Sequence, residues 1–228
     1  MGQQHPDIEC RVCASKHVSE VVQSQGVFRC QTCSSLSRIP FNIGPAFYSD
    51  TNYWWLEDEW LRLYQKSFFV WFEEDIPTDR ASLEIGAANG DFLRLVQKTT
   101  KGPVVYNDLF YLARPEYDFP ERMIGIAERC DLWFKLQKHP VNVFMIDVIE
   151  HLERPFGVFT HLPEGSRVFC VTADGDALHA DDEMFLHLEH SCIMTQQGIQ
   201  LATRKYGFTI FKYYRHPQGL SIFILEKI

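Results

Sequence analysis

Four of the seven cysteines stand in two C-x-x-C pairs, Cys10-Arg11-Val12-Cys13 and Cys30-Gln31-Thr32-Cys33, with 16 residues between them. Zinc prefers four thiolates in a tetrahedron, and two short knuckles supply two ligands each. The spacing assigns one structural Zn2+ to Cys10, Cys13, Cys30 and Cys33. The rival reading is two incidental thiol pairs with redox chemistry. Four thiolates leave no open coordination position, so no catalysis is expected at this metal. The Val18 to Phe28 stretch between the knuckles can form a β-hairpin turning near Gly26. So small a ribbon cannot bury enough core unaided, and metal binding would supply its folding energy.

A second set of reactive side chains lies far along the chain, in His187-Leu188-Glu189-His190. An imidazole titrates near neutrality and can accept a proton there. A carboxylate beside it can orient the ring and steady the imidazolium. His190 is the candidate general base; the alternative is a histidine satisfied by the backbone beside a pocket. A third set is Asp147-Val148-Ile149-Glu150-His151-Leu152. If that turn is helical, Asp147, Glu150 and His151 share one face. Two carboxylates and an imidazole suit Mg2+, Mn2+ or Zn2+ only loosely. The alternative places His151 at a substrate pocket and Glu150 as a backbone cap.

These groups need a scaffold, and residues 82 to 93 indicate which. Ser82-Leu83-Glu84-Ile85 is an apolar run carrying an acid, Gly86-Ala87-Ala88-Asn89-Gly90 is a break of small residues, and Asp91-Phe92-Leu93 resumes an apolar period. That order predicts a strand, a tight turn and a helix start. Gly86 and Gly90 permit positive φ or close backbone approach. Such a turn is expected to leave free N–H groups beside a ligand, at the positive end of the helix. Glu84 would face the same crevice, at the carboxyl end of the strand. Val104-Val105-Tyr106-Asn107-Asp108 reads as a second strand ending in an acid that can bond a ribose diol. Residues 143 to 147 read as a buried strand running into the acidic, histidine-bearing turn.

Together these stretches resemble the class I S-adenosylmethionine-dependent methyltransferases. Glu84-Ile-Gly-Ala-Ala-Asn-Gly90 is similar to their first motif, with Ala88 in place of the middle glycine. Asp108 resembles their ribose-binding acid, and Asp147 to Leu152 resembles the D-x-x-E-H-L segment of one large branch. The resemblance covers roughly residues 80 to 228. It implies a Rossmann-like α/β fold with a seven-stranded sheet, closed by an antiparallel pair. It also implies cofactor contacts at Glu84, Gly86, Ala88, Gly90 and Asp108, with Asp147 or Val148 near the methionine or the acceptor.

A zinc ribbon ahead of such a domain resembles a bacterial family that includes sugar-nucleotide C-methyltransferases. Phe47 to Trp55, with Tyr48 and Tyr53, matches that family's aromatic segment. The family's further carboxyl-terminal domain has no counterpart in this sequence. Glu189 and His190 align with its catalytic Glu-His pair, but His187 stands where its tyrosine does. The implied activity is methyl transfer to a small molecule, such as a sugar nucleotide or a biosynthetic intermediate. The alternatives are an RNA methyltransferase whose ribbon holds RNA, and a non-catalytic partner protein that keeps the fold as a surface.

The 228 residues suit one domain of residues 46–228 with a ribbon and linker over 1–45. A net charge of −8 opposes nucleic-acid binding on average. No apolar stretch has the length of a membrane span, no signal segment opens the sequence, and paired cysteines favour a reducing compartment; cytoplasm is the expectation. Residues 34 to 50, with Pro40, Gly44 and Pro45, read as a linker. Leu56, Trp60, Leu63, Tyr64, Ser67, Phe68 and Trp71 predict an aromatic helix face over 55–74. Strands are expected near 81–86, 103–107, 141–147, 167–172, 209–215 and 221–227, and helices from about residue 92, around Pro155 to Phe159, and over 193–205. Residues 173–184 read as a polar, acidic loop over the sheet's carboxyl edge. Cys130, Cys170 and Cys192 read as buried apolar-like residues.

Overall fold

A computed structural model describes residues 8–22, 26–39, 59–87, 90–107, 121–122, 134–135, 137–178 and 190–228, with 59–62 and 121–122 as backbone alone. The expectations placed on Tyr48, Tyr53, Ala88, Asp108, Cys130, His187 and Glu189 lie outside these residues.

The described elements run β1 (Val18–Val22), β2 (Val27–Cys30), β3 (Leu36–Arg38), α1 (Glu59–Phe72), β4 (Ala81–Ile85), α2 (Asp91–Thr99), β5 (Val104–Asn107), β6 (Glu121–Arg122), β7 (Val141–Ile146), β8 (Arg167–Ala173), β9 (Cys192–Ile193), α3 (Gln196–Lys205), β10 (Phe208–His216) and β11 (Leu220–Lys227). Seven strands form one sheet in the order β10-β11-β8-β7-β4-β5-β6. The five strands from β6 to β8 are parallel, and β11 and β10 close the sheet antiparallel. This is a Rossmann-like α/β fold. No helix among the described residues is long and apolar enough to cross a membrane.

Period-two alternation sorts each central strand between two cores. Leu83, Ile85, Val143, Met145, Val168 and Cys170 face one side. Phe144, Ile146, Phe169 and Val171 face the other, under Phe69 and Phe72 of α1 and Phe92, Leu93 and Val96 of α2. Phe144 and Phe169 stack there with centroids 4.8 Å apart. Strands buried on both faces read as near-continuous apolar runs, which is why β7 and β8 were legible.

The ribbon is not an appendage in space. Its apolar residues Val12, Val18 and Phe28 belong to the same core cluster as Phe156, Ile199 and Ala202. Leu36–Arg38, expected as linker, is a strand that pairs antiparallel with β9, joining Leu36 to Ile193 and Ser37 to Cys192. The second sheet therefore runs β1-β2-β3-β9 and takes its last strand from far along the chain. A strand of three residues beside prolines carries too little pattern to be read alone.

Three other expectations are corrected. The face of α1 turned to the core is Gln65, Phe68, Phe69 and Phe72; Leu63 is 61% exposed and Trp71 41%. Aromatic residues fall on both faces of this helix, and the core selected the one that meets Phe92 and Phe169. Trp71 instead stacks on Tyr214 of β10, 4.4 Å between centroids. Pro155 to Phe159 forms only a 3-10 turn at Gly157–Phe159. Asp174, expected in a polar loop over the sheet's carboxyl edge, is fully buried, bridges to Met194 and is ion-paired with Arg215.

Candidate functional site at the carboxyl edge of the sheet

Strand β4 ends at Ile85, with Glu84 buried beside Tyr106 and Phe144 in the ladder. Gly86 then takes φ 73° and Gly90 φ 74°, as the small-residue break predicts. A Cβ on Gly86 would lie 2.3 Å from Cγ2 of Val148, so only glycine lets the two segments meet. The N–H groups of this turn are not all free for a ligand. Gly86 and Ala87 both donate to the carbonyl of Asn107, at 2.7 and 3.3 Å, and Gly90 donates to that of Ala87 at 2.6 Å. The last carbonyl of β5 uses the donors that the sequence had assigned to a ligand.

Beyond β7 the chain reaches Asp147, a non-glycine residue at φ 53°. Such backbone is costly and is held by its surroundings. Asp147 donates its N–H to Val171 at 3.0 Å, and its carboxylate accepts a 2.7 Å hydrogen bond from the Tyr64 hydroxyl of α1. Burial pushes the Asp147 carboxyl up to about 6, against the opposing hydrogen bond from Tyr64. Tyr64 is itself raised, by burial and then by the Asp147 charge. This contact was not readable from residue types, because Tyr64 read as one ring in an aromatic stripe.

Ile149–His151 forms a 3-10 turn. Glu150 on it is 2% exposed. Burial, and then the nearby Asp147 charge, push its carboxyl up to about 8, while Thr172 and the backbone of Ala173 favour the charged form. No described residue makes a hydrogen bond to Glu150 Oε2. Against this turn lies His190, whose ring meets that of His151 edge to face, 4.9 Å between centroids. The ligand-capable atoms of Glu150, His151 and His190 all fall within 4.8 Å of one another. The structure thus groups Glu150 and His151 with His190, while Asp147 bonds to Tyr64.

Two devices hold His190 in place. Ser191, fully buried, donates its N–H to the Glu150 carbonyl at 2.8 Å, and its hydroxyl reaches the carbonyls of Glu150 and Leu152 at 2.9 and 2.5 Å. From the ribbon, the buried Arg38 donates its N–H to Ser191 O at 2.9 Å and its Nε to His190 O at 3.4 Å. Arg11 Nε in turn donates to the Arg38 carbonyl at 3.1 Å. Both Ser191 and Arg38 went unnoticed in the sequence, since neither residue type signals a clamp without its partner.

The four ribbon cysteines also converge. Their sulfurs lie within 4.8 Å of one another, with Cys10–Cys33 at 3.7 Å and Cys13–Cys30 at 3.6 Å. A Zn–S bond of about 2.3 Å implies a tetrahedral edge of about 3.8 Å. The two knuckles repeat one backbone pattern. Ala14 N–H donates to Cys10 O and Ser34 N–H to Cys30 O, while Cys10 and Cys30 donate to Ser15 O and Ser35 O. Ala14 and Ser34 take φ 59° and 60°. Crowded thiols compete for their protons, which lowers Cys13 and Cys30 and raises Cys10 and Cys33. Thr195 ties the cluster to α3: it caps that helix by accepting from Gly198 N–H at 3.0 Å and donates to Cys33 O. The residues fit a four-thiolate metal.

No protein-family model matches the sequence, and no curated protein matches it. Solved structures match the fold. A Pyrococcus horikoshii OT3 protein, PH0226, is 15% identical with a TM-score of 0.56, over 76% of this chain and 93% of that one. A SAM-dependent methyltransferase from Aquifex aeolicus is 12% identical with a TM-score of 0.55, over 82% and 100%. Geranyl diphosphate C-methyltransferase from Streptomyces coelicolor, solved with Mg2+, geranyl diphosphate and S-adenosyl-L-homocysteine, is 10% identical with a TM-score of 0.53, over 72% and 77%. The chain spans 57% of TnmH, which it matches with a TM-score of 0.49. The shared feature is the Rossmann-like methyltransferase fold.

Proposed function

We propose that this chain is an S-adenosylmethionine-dependent methyltransferase acting on a small-molecule acceptor, with a structural Zn2+ in its ribbon. One observation carries the reading: Glu84, the Gly86–Gly90 turn and the Asp147-to-His151 turn meet at one carboxyl edge of a methyltransferase-type sheet. Ligands in open α/β sheets bind at that edge. Of the expected cofactor contacts, Glu84, Gly86, Gly90, Asp147 and Val148 lie on these segments, and Ala88 and Asp108 complete the set in sequence. S-adenosylmethionine, when bound, supplies a methyl group on a sulfonium sulfur that leaves as a neutral thioether.

The residues of the chain then have two tasks. They align the acceptor for in-line displacement, and they receive its proton. His190 is the proposed proton acceptor, with His151 beside it at the acceptor pocket. Glu189 and His187 adjoin it in sequence and are proposed to contact the acceptor. The acidic balance of the chain favours a small acceptor over a polyanion.

Zinc at Cys10, Cys13, Cys30 and Cys33 would hold the ribbon together and take no part in transfer. Calorimetry with S-adenosylhomocysteine tests the cofactor site. One site per chain is expected, weakened at least ~10-fold in Gly86→Ala, where the new Cβ displaces Val148. Absence of heat with the zinc-loaded protein would overturn the methyltransferase reading.

A further inference from the structure

We infer that Glu150, His151 and His190 form a binding site for a second metal, a first-row divalent cation distinct from the ribbon zinc. The ligand-capable atoms of the three residues lie within 4.8 Å of one another. Donors around an ion at 2.0–2.2 Å sit about 3 to 4 Å apart, so small side-chain rotations complete the set. Glu150 is 2% exposed, and its Oε2 has no hydrogen-bond partner among the described residues. A buried carboxylate oxygen without a donor is costly unless a cation meets it.

The backbone beneath is fixed. Ser191 joins the His190 segment to the Glu150 turn through both its N–H and its hydroxyl, and Arg38 grips the His190 carbonyl from the ribbon. Two imidazoles and one carboxylate favour Mn2+, Fe2+, Co2+ or Zn2+ over Mg2+ or Ca2+, which prefer oxygen alone. Three protein ligands leave positions open for an exogenous ligand. The ligand that fits is an acceptor bearing an oxygen donor, such as a hydroxyl beside a carboxylate or phosphate.

The role of the ion rests on the methyltransferase reading; its binding does not. An ion there would hold the acceptor oxygen and ease loss of its proton to water. With the ion bound, His190 is a ligand and water takes the proton; in the metal-free protein His190 itself is the proton acceptor.

The test is Mn2+ added to zinc-loaded protein, followed by the loss of the free-ion electron paramagnetic resonance signal. Mn2+ competes poorly for four thiolates, so the ribbon stays loaded. One Mn2+ per chain is expected, with affinity falling ~10- to 100-fold in Glu150→Gln and again in His151→Gln. S-adenosylhomocysteine binding, measured on the same samples, reports that each variant is folded. Wild type that takes up no Mn2+ would overturn the site, as would variants that bind it as well as wild type. Mn2+ uptake without S-adenosylhomocysteine binding would keep the metal site and sink the methyltransferase reading.

Discussion

The four-cysteine cluster and the Glu150–His151–His190 cluster are assembled in opposite ways. The first is two copies of one short turn, each closed by its own backbone hydrogen bonds. The second draws Glu150 and His151 from the turn after β7 and His190 from the approach to β9. Nothing local brings those together; Ser191 and Arg38 do. Every non-glycine residue with positive φ among the described residues belongs to one of these places: Ala14 and Ser34 at the knuckles, Asp147 at the edge. Each knuckle closes on its own backbone hydrogen bonds, whereas the edge site is assembled only where β3 of the ribbon pairs with β9. Dependence should therefore run one way.

The largest break should come from Cys30→Ser. Structural zinc contributes roughly 10–16 kcal/mol of binding free energy in isolated zinc-finger peptides, so the ribbon should unravel. Zinc content should fall to zero and methyl transfer by ~100-fold, with amide exchange accelerating at residues 191–193. Unchanged protection there would show that β9 and His190 stand without the ribbon.

Arg38→Met sharpens the comparison by cutting the link and sparing both clusters. Losing a charged donor to the His190 carbonyl should cost about 1.5–3 kcal/mol of stability. Turnover should drop while zinc stays at one per chain. Loss of zinc in this variant would mean that Arg38 serves the ribbon instead.

A third break concerns pH. In metal-free protein the Glu150 carboxyl is raised from 4.5 to about 8. The folded state then holds a proton that the unfolded chain releases, so this group costs nothing at low pH and destabilises as pH rises towards 8. Glu150→Gln has no such proton. Its stability relative to wild type should climb through that window, by at most ~1.4 kcal/mol per pH unit, and level off above it. Denaturant unfolding at several pH values measures this. A flat difference would show a hydrated carboxylate, and saturating Mn2+ should reverse the trend.

How much was legible follows the same division. The knuckles, the Gly86–Gly90 turn and the apolar strands β4, β7, β8 and β11 repeat or alternate within a few residues, so pattern alone found them. His190 and His151 were flagged separately by residue type, but their meeting was not readable. It depends on β3, which looked like linker, and on a serine whose importance lies in three hydrogen bonds to another turn. The helix face of α1 was misjudged because its aromatic residues run around both sides, leaving tertiary contact to choose. Tyr64 was hidden for the same reason.

The central proposal is that the turn after β4 holds S-adenosylmethionine with its reactive sulfur towards His151 and His190. A crystal structure of the zinc-loaded protein with S-adenosylhomocysteine tests it directly. The account predicts the nucleoside against Gly86–Gly90 and the sulfur facing the two imidazoles. A ligand seated elsewhere, or with its sulfur turned from the histidines, would contradict it.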